Sequence, residues 1–211
     1  MKRSASRLVR AVAPAVVLAV ALAACGTTRP ARFYALAPLA VRPGAVEAAG
    51  SAAPAGVPLA IHLVRIPALV DRPQLVSCLS DHERRFDEYA RWAEPLAPHL
   101  AAVLAENLSV LLAPTPVLVD PEPGEERAAR RVRIEILHFD SLPGGQAVLS
   151  ARWSFREPGA GPEAEGPDWS TGTWRAAAAA GDPASFAAAM SLNLLELGIA
   201  IAERAGGHPT H

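Results

Sequence analysis

Between positions 132 and 177 the chain alternates apolar and polar residues in successive stretches, and this pattern limits the fold more than any other feature. "VRIEILHF" sets Val132, Ile134 and Ile136 against Arg133 and Glu135. "QAVLSARWSF" sets Ala147, Leu149, Ala151, Trp153 and Phe155 against Ser150, Arg152, Ser154 and Arg156. A period of two sends successive side chains to opposite faces, so the second stretch reads as a strand with one wet face. Gly144-Gly145 marks a hairpin turn between the two. "EPGAGPEAEGPD" is a longer turn before the return strand "WSTGTWRAA". Strands joined in this way form an antiparallel meander.

Two helical patterns flank the meander. Leu96, Leu100, Val103, Leu104, Leu108, Leu111 and Leu112 form one apolar stripe at helical period, with Pro95 at its start and Pro114 and Pro116 beyond its end. The second helix opens at Asp182-Pro183, a capping side chain followed by a proline suited to the first helical position. It carries Phe186, Met190, Leu194, Leu197 and Ile201 on one side and ends at Gly206-Gly207.

Shorter strand signals precede the first helix: "FYAL", "LAIHLVRI", "QLVSCL" and "FDEYARW", with "PVLVD" after it. The order is strands, helix, strands, helix. The expected fold is α+β, a mostly antiparallel sheet with two long helices packed on one face.

The N-terminal residues belong to something else. "MKRSASRLVR" is basic and "AVAPAVVLAVALAA" is apolar but shorter than the ~20 residues a bilayer span needs. Leu22-Ala23-Ala24 then precedes Cys25. This combination looks like the lipobox of bacterial lipoproteins, in which the cysteine sulfur is acylated and becomes the mature N-terminus. Two or more acyl chains anchor a protein stably where one does not. The predicted organisation is a signal peptide over 1–24, a lipidated tether, first strand and Ala/Gly/Pro-rich connection over 25–58, an α+β domain over 59–205 and a tail over 206–211. Seven residues separate Cys25 from Phe33, a reach of roughly 23–25 Å when extended. After Cys25 no run reads as long and apolar enough to span a membrane. The resemblance to lipoproteins further implies the outer membrane, since Gly26 stands where an inner-membrane lipoprotein often has Asp.

Losing the leader removes four of 20 basic residues and none of the 21 acidic ones, leaving about −5 with arginine as the only strong base. A mildly acidic chain with scattered arginines does not suit nucleic-acid binding. Catalytic patterns are also missing. Cys78 sits among Leu75, Val76 and Leu79 as a small buried hydrophobe, and His62 and His138 lie singly on strands. "HPTH" reads as a frayed tail, and Glu122, Glu125 and Glu126 as a solvated acidic loop. No catalytic residue, metal ligand or cofactor is assigned.

Two segments suit a partner surface as well as a local structural role. "ALVDRPQLV" places Asp71 and Arg72 in a tight turn, and "YARWAEPL" places Arg91 and Trp92 at a strand-to-helix junction. Trp and Arg are favoured interface anchors. With "FYAL", "LAENLSVLL" and "VRIEILHFDSLPGGQAVLSARWSF", these segments and the lipobox resemble the auxiliary lipoproteins of ABC-type/MCE transport systems, the PqiC (YmbA-like) family. The resemblance implies a non-enzymatic outer-membrane lipoprotein facing the periplasm. It also implies docking to a tunnel-forming MCE partner that moves lipids between membranes, and assembly into rings of identical copies. A lipid-anchored hydrolase and a monomeric lipid-binding lipoprotein are the alternative readings.

Overall fold

The computed structural model describes residues 29–40, 57–122, 124–125, 129–159 and 168–206. Cys25 and the "HPTH" tail lie outside the described residues. The chain divides into two units, Met1–Pro30 and Ala31–His211. All that follows concerns the second.

Its elements are β1 (Arg32–Tyr34), β2 (Leu59–Arg65), β3 (Gln74–Ser80), β4 (Glu83–Trp92), α1 (Leu96–Leu111), β5 (Val117–Val119), β6 (Arg130–Leu142), β7 (Gln146–Arg156), β8 (Ser170–Ala177) and α2 (Pro183–Gly206). The class is α+β. The sheet arrangement corrects the expectation of one mostly antiparallel sheet, because there are two sheets and both are mixed. The larger has the order β5-β2-β6-β7-β8, with β2 parallel to both β5 and β6 and the meander β6-β7-β8 antiparallel. The smaller has the order β1-β4-β3, with β1 parallel to β4. The two parallel pairs of β2 arise because the chain leaves β2, builds β3, β4 and α1, and only then returns beside it. That is the crossover which parallel strands require.

The helices pack against each other, α1 on β2 and β5 and α2 on β7 and β8. Leu100, Leu104, Leu108 and Leu111 of α1 are buried, as are Met190, Leu194, Leu197 and Ile201 of α2, so both apolar stripes face inward as the periodicity predicts. Asp182 caps α2, accepting the N–H bonds of Ala184 at 3.1 Å and Ser185 at 3.3 Å. Arg130 closes the other end by donating to the Ala205 carbonyl at 2.7 Å. Such contacts satisfy groups that helix ends leave unpaired.

α2 also corrects the expectation about membrane-length runs. At 24 residues, with a mean hydropathy of 1.6 over its most apolar window, it is long and apolar enough to cross a bilayer, but 61% of that window is buried inside the protein. Burial of this extent is that of a core helix. β7 differs from expectation too. Ser150 and Ser154 on its polar face are buried, and Ser150 shares a 2.8 Å hydrogen bond with Thr173 on β8. β7 is flanked on both sides, so its short polar side chains lie between neighbouring strands.

The three-stranded sheet is joined to the far end of β6. The Ser141 hydroxyl accepts the Cys78 N–H at 3.0 Å, and Arg84 pairs with Asp140 at 3.2 Å. Beneath this junction Trp92, Phe139 and Phe186 bring together β4, β6 and α2, with ring centroids 5.9–6.4 Å apart. Beyond β1, residues 36–40 are fastened to the helices by side chains. His99 and Asn107 reach them from α1 and Ser191 from α2.

Candidate docking surface

The turn before β3 and the junction after β4 are adjacent because the backbone ties them together. Val70 and Asp71 both donate to the Pro67 carbonyl, closing the turn. The Trp92 N–H donates to the Pro73 carbonyl at 2.8 Å, and the Ala93 N–H to Tyr34 at 2.8 Å. These bonds bring β1, the turn and the β4–α1 junction to one place. Between them lies an open groove of about 340 Å³, lined by Asp71, Arg72, Pro73, Trp92, Glu94 and Pro95 among others.

Of the four residues singled out from sequence, three line this groove: Asp71, Arg72 and Trp92. Asp71 is exposed. The Arg72 guanidinium lies 4.4 Å from the centre of the Phe86 ring, a cation–π contact that fixes the side chain over the sheet. Trp92 is only 5% exposed, so its ring is chiefly a core element whose edge reaches the groove. Arg91 stands apart from the groove lining. It pairs with Glu88 at 3.3 Å and donates from Nε to the Glu88 carbonyl at 3.1 Å.

Sequence reasoning missed the apolar residues around these charges. Phe33 is 66% exposed, and Tyr89, Phe86, Leu69 and Leu79 are exposed as well. All belong to the three-stranded sheet or the turn that feeds it. Exposed aromatics grouped with arginine are the composition of interaction surfaces. The signal was hidden by an irregularity in β4. The Asp87 carboxylate accepts the N–H groups of both Tyr89 at 2.8 Å and Ala90 at 3.0 Å, a local bond that competes with ladder pairing. The register then jumps, from Gln74 opposite Arg91 to Leu75 opposite Asp87. Phe86 is therefore exposed while Ala90 and Trp92 are buried, although simple alternation puts all three on one face.

The remaining candidates are scattered. Cys78 is buried, and its thiol donates to the Ser80 carbonyl at 3.1 Å. Burial raises its pKa above the ordinary thiol value and the Asp140 and Asp81 charges add to that, while Arg84 opposes them. A protonated thiol is a poor nucleophile. His62 lies 3.5 Å from Asp120, and His138 is exposed on β6. Glu122 and Glu125 are exposed, and Glu126 lies outside the described residues. Among the described residues no group of three or more His, Cys, Asp or Glu side chains is placed to hold a metal ion.

Comparison with known proteins agrees with this architecture. Two crystal structures share the fold. One, of a protein described only as uncharacterized, superposes with a TM-score of 0.66 at 16% identity, covering 83% of this chain and 99% of its own. The other, of a Xanthomonas campestris protein, superposes with a TM-score of 0.58 at 14% identity, covering 84% and 93%. No curated protein matches this chain significantly. The family described as the ABC-type transport auxiliary lipoprotein component matches residues 34–202, from the end of β1 to within four residues of the end of α2. This chain belongs to that family of lipoprotein accessories of ABC-type transport.

Proposed function

We propose that the protein is an outer-membrane lipoprotein, anchored through acylated Cys25 with its folded unit in the periplasm. There it docks a tunnel-forming MCE-domain partner and so supports lipid transport between the two membranes and envelope integrity. The observation that carries this reading is the grouping of Asp71, Arg72 and the groove with exposed Phe33, Phe86 and Tyr89, in a chain of a transport-accessory family. The basic, apolar, small-residue leader ending at Leu22-Ala23-Ala24-Cys25 supports the anchor. On this reading the leader is removed before Cys25, and the contact is made by the three-stranded sheet and its turn. Arg72 and Arg91 give orientation and charge matching, the exposed rings give contact area, and Trp92 keeps the groove floor rigid from below. The same surface serves contacts between identical copies in a ring.

Expressing the full chain, wild type and Cys25→Ser, in a Gram-negative host with its MCE partner tests both parts of this reading. The wild type should fractionate with the outer membrane and co-purify with the MCE-domain protein. Cys25→Ser should leave the membrane fraction while keeping its fold. A wild-type protein with an unmodified Cys25 thiol, or one that brings no MCE-domain protein with it, overturns the proposal.

A further inference from the structure

The larger sheet ends in β5 on one side and in β8 on the other. β5 has three residues and β8 has eight. β8 pairs with β7 in an unbroken antiparallel register, from Ser170 opposite Trp153 to Ala177 opposite Gln146. Among the described residues, nothing but β7 hydrogen-bonds to its backbone. The N–H and C=O groups of alternate residues therefore point outward along the whole edge, ready to pair with another strand.

Proteins ordinarily blunt such an edge with proline, lysine, an inward charge or a bulge. β8 has no proline, lysine or acid, its register has no shift, and Arg175 is its one charge. Its two faces differ. Thr171, Thr173, Arg175 and Ala177 are exposed, whereas Ser170, Gly172, Trp174 and Ala176 are half-buried, Trp174 and Ala176 against the core. A strand added to this edge must keep the two faces in step.

A second β8 laid antiparallel does so when the pair is centred on one residue, because residues two apart share a face. Centring on Thr173 or on Trp174 pairs seven residues of each strand. The Trp174 centre sets two indole rings directly against each other. The Thr173 centre sets Thr173 against Thr173, Arg175 against Thr171 and Trp174 against Gly172. No like charges then meet, and Thr–Thr pairs are favourable across strands. The largest ring also faces the residue without a side chain. Trp174 already lies over its own Gly172, where a Cβ would meet the ring at 2.5 Å, and an aromatic that covers an edge glycine helps to pin register.

We propose that β8 is a self-pairing edge. It joins the β8 of a second copy of this chain, antiparallel and centred on Thr173, so that the two larger sheets become continuous. The contact shares no residue with the docking surface and does not depend on it.

Oxidative crosslinking of the full chain in mild detergent tests this. Thr173→Cys should give a disulfide-linked dimer through the introduced thiols, and Ala102→Cys, on the exposed side of α1, should not. Thr171 is exposed, and its side chain bonds to nothing among the described residues. In the pair it faces Arg175 of the second copy twice, once on each side of the two-fold axis. Thr171→Glu should therefore tighten self-association about two- to twentyfold and Thr171→Arg weaken it by a similar factor, read by sedimentation equilibrium. Amide exchange of the unmutated chain gives a readout that needs no variant: alternate amides of β8 should gain protection as concentration rises. Crosslinks from position 173 no more frequent than from position 102, equal association of the two Thr171 variants, or β8 amides whose exchange does not change with concentration would each overturn the proposal.

Discussion

The Asn107 side-chain carbonyl accepts the backbone N–H of Leu39 at 2.9 Å, and that of Ala40 at the same distance. Asn107 is fully buried on the stripe of α1 that otherwise carries Leu100, Leu104, Leu108 and Leu111. One amide thus ties the segment that follows β1 to the helical layer. His99 and Ser191 complete the attachment, accepting from Leu36 at 3.0 Å and Ala37 at 3.0 Å. The segment linking β1 to the Ala/Gly/Pro-rich connection is therefore held as part of the fold.

Asn107→Ala should orphan two buried N–H groups. Each such group costs about 1–3 kcal/mol, so the loss of stability should exceed that of an ordinary surface change. Urea unfolding gives the magnitude. Amide exchange should show Leu39 and Ala40 losing protection before the strands of the larger sheet. Unchanged protection at both amides would mean that the segment is held by other contacts.

Trp92→Ala removes the ring that packs edge-on to Phe139 and against Phe186. The expected cost is roughly 3–5 kcal/mol, as for other buried aromatics. Arg91→Ala loses an exposed pair with Glu88 and an exposed hydrogen bond to its carbonyl, and exposed pairs of that kind contribute about 0–1 kcal/mol. Denaturation midpoints compared at equal m-value should separate the neighbouring residues clearly.

Leu104 is 2% exposed and Ala102 is on the opposite, exposed side of α1. Leu104→Ala should therefore cost about 2–5 kcal/mol, whereas Ala102→Ser should be nearly neutral. At the crossing of the two helices, a Cβ added at Gly198 meets Leu111 Cδ1 at 3.4 Å and Leu104 Cδ1 at 3.6 Å, which is ordinary contact. Gly198→Ala should stabilise by up to roughly 0.5–1 kcal/mol through helix propensity. A Leu there has no comparable space, and Gly198→Leu should destabilise.

The folded state holds Cys78 as a thiol, with its pKa above the ordinary value of about 8.5 because burial, Asp140 and Asp81 disfavour the thiolate. A raised folded pKa means that the native state binds the proton more tightly than the unfolded chain. The contribution to stability is complete below the unfolded pKa and is lost as pH rises from there through the folded value. Alkylation of Cys78 in the native protein should accordingly be slow at pH 8, and Cys78→Ala should flatten the fall in stability at alkaline pH. Fast labelling at pH 8 would contradict the protonated, buried thiol.

The helices and the meander were legible because their signals are local. Asp182-Pro183, the leucine stripe and Gly144-Gly145 each specify structure within a few residues. Gly144 and Gly145 do adopt positive φ, 94° and 89°. The pairing of β2 with β5 and β6 was not legible, since it depends on which distant strand offers a matching edge after a long crossover. The surface around Arg72 was half legible. The charged residues stood out, but simple alternation groups Phe86 with the buried Ala90 and Trp92, and Asp87 breaks that alternation. Asn107 did leave a signal. An amide in the middle of an apolar stripe requires a buried partner, and its distance from Leu39 along the chain concealed which one.

The docking account stands most directly on what lies against position 91 in the cell. A photo-crosslinking residue placed there in the full, lipidated chain, with a matching control at the exposed position 102 of α1, reports that contact on irradiation. The account predicts adducts from position 91 to an MCE-domain protein or to a second copy of this chain, and none from position 102. Adducts from position 102 with none from position 91 would contradict it.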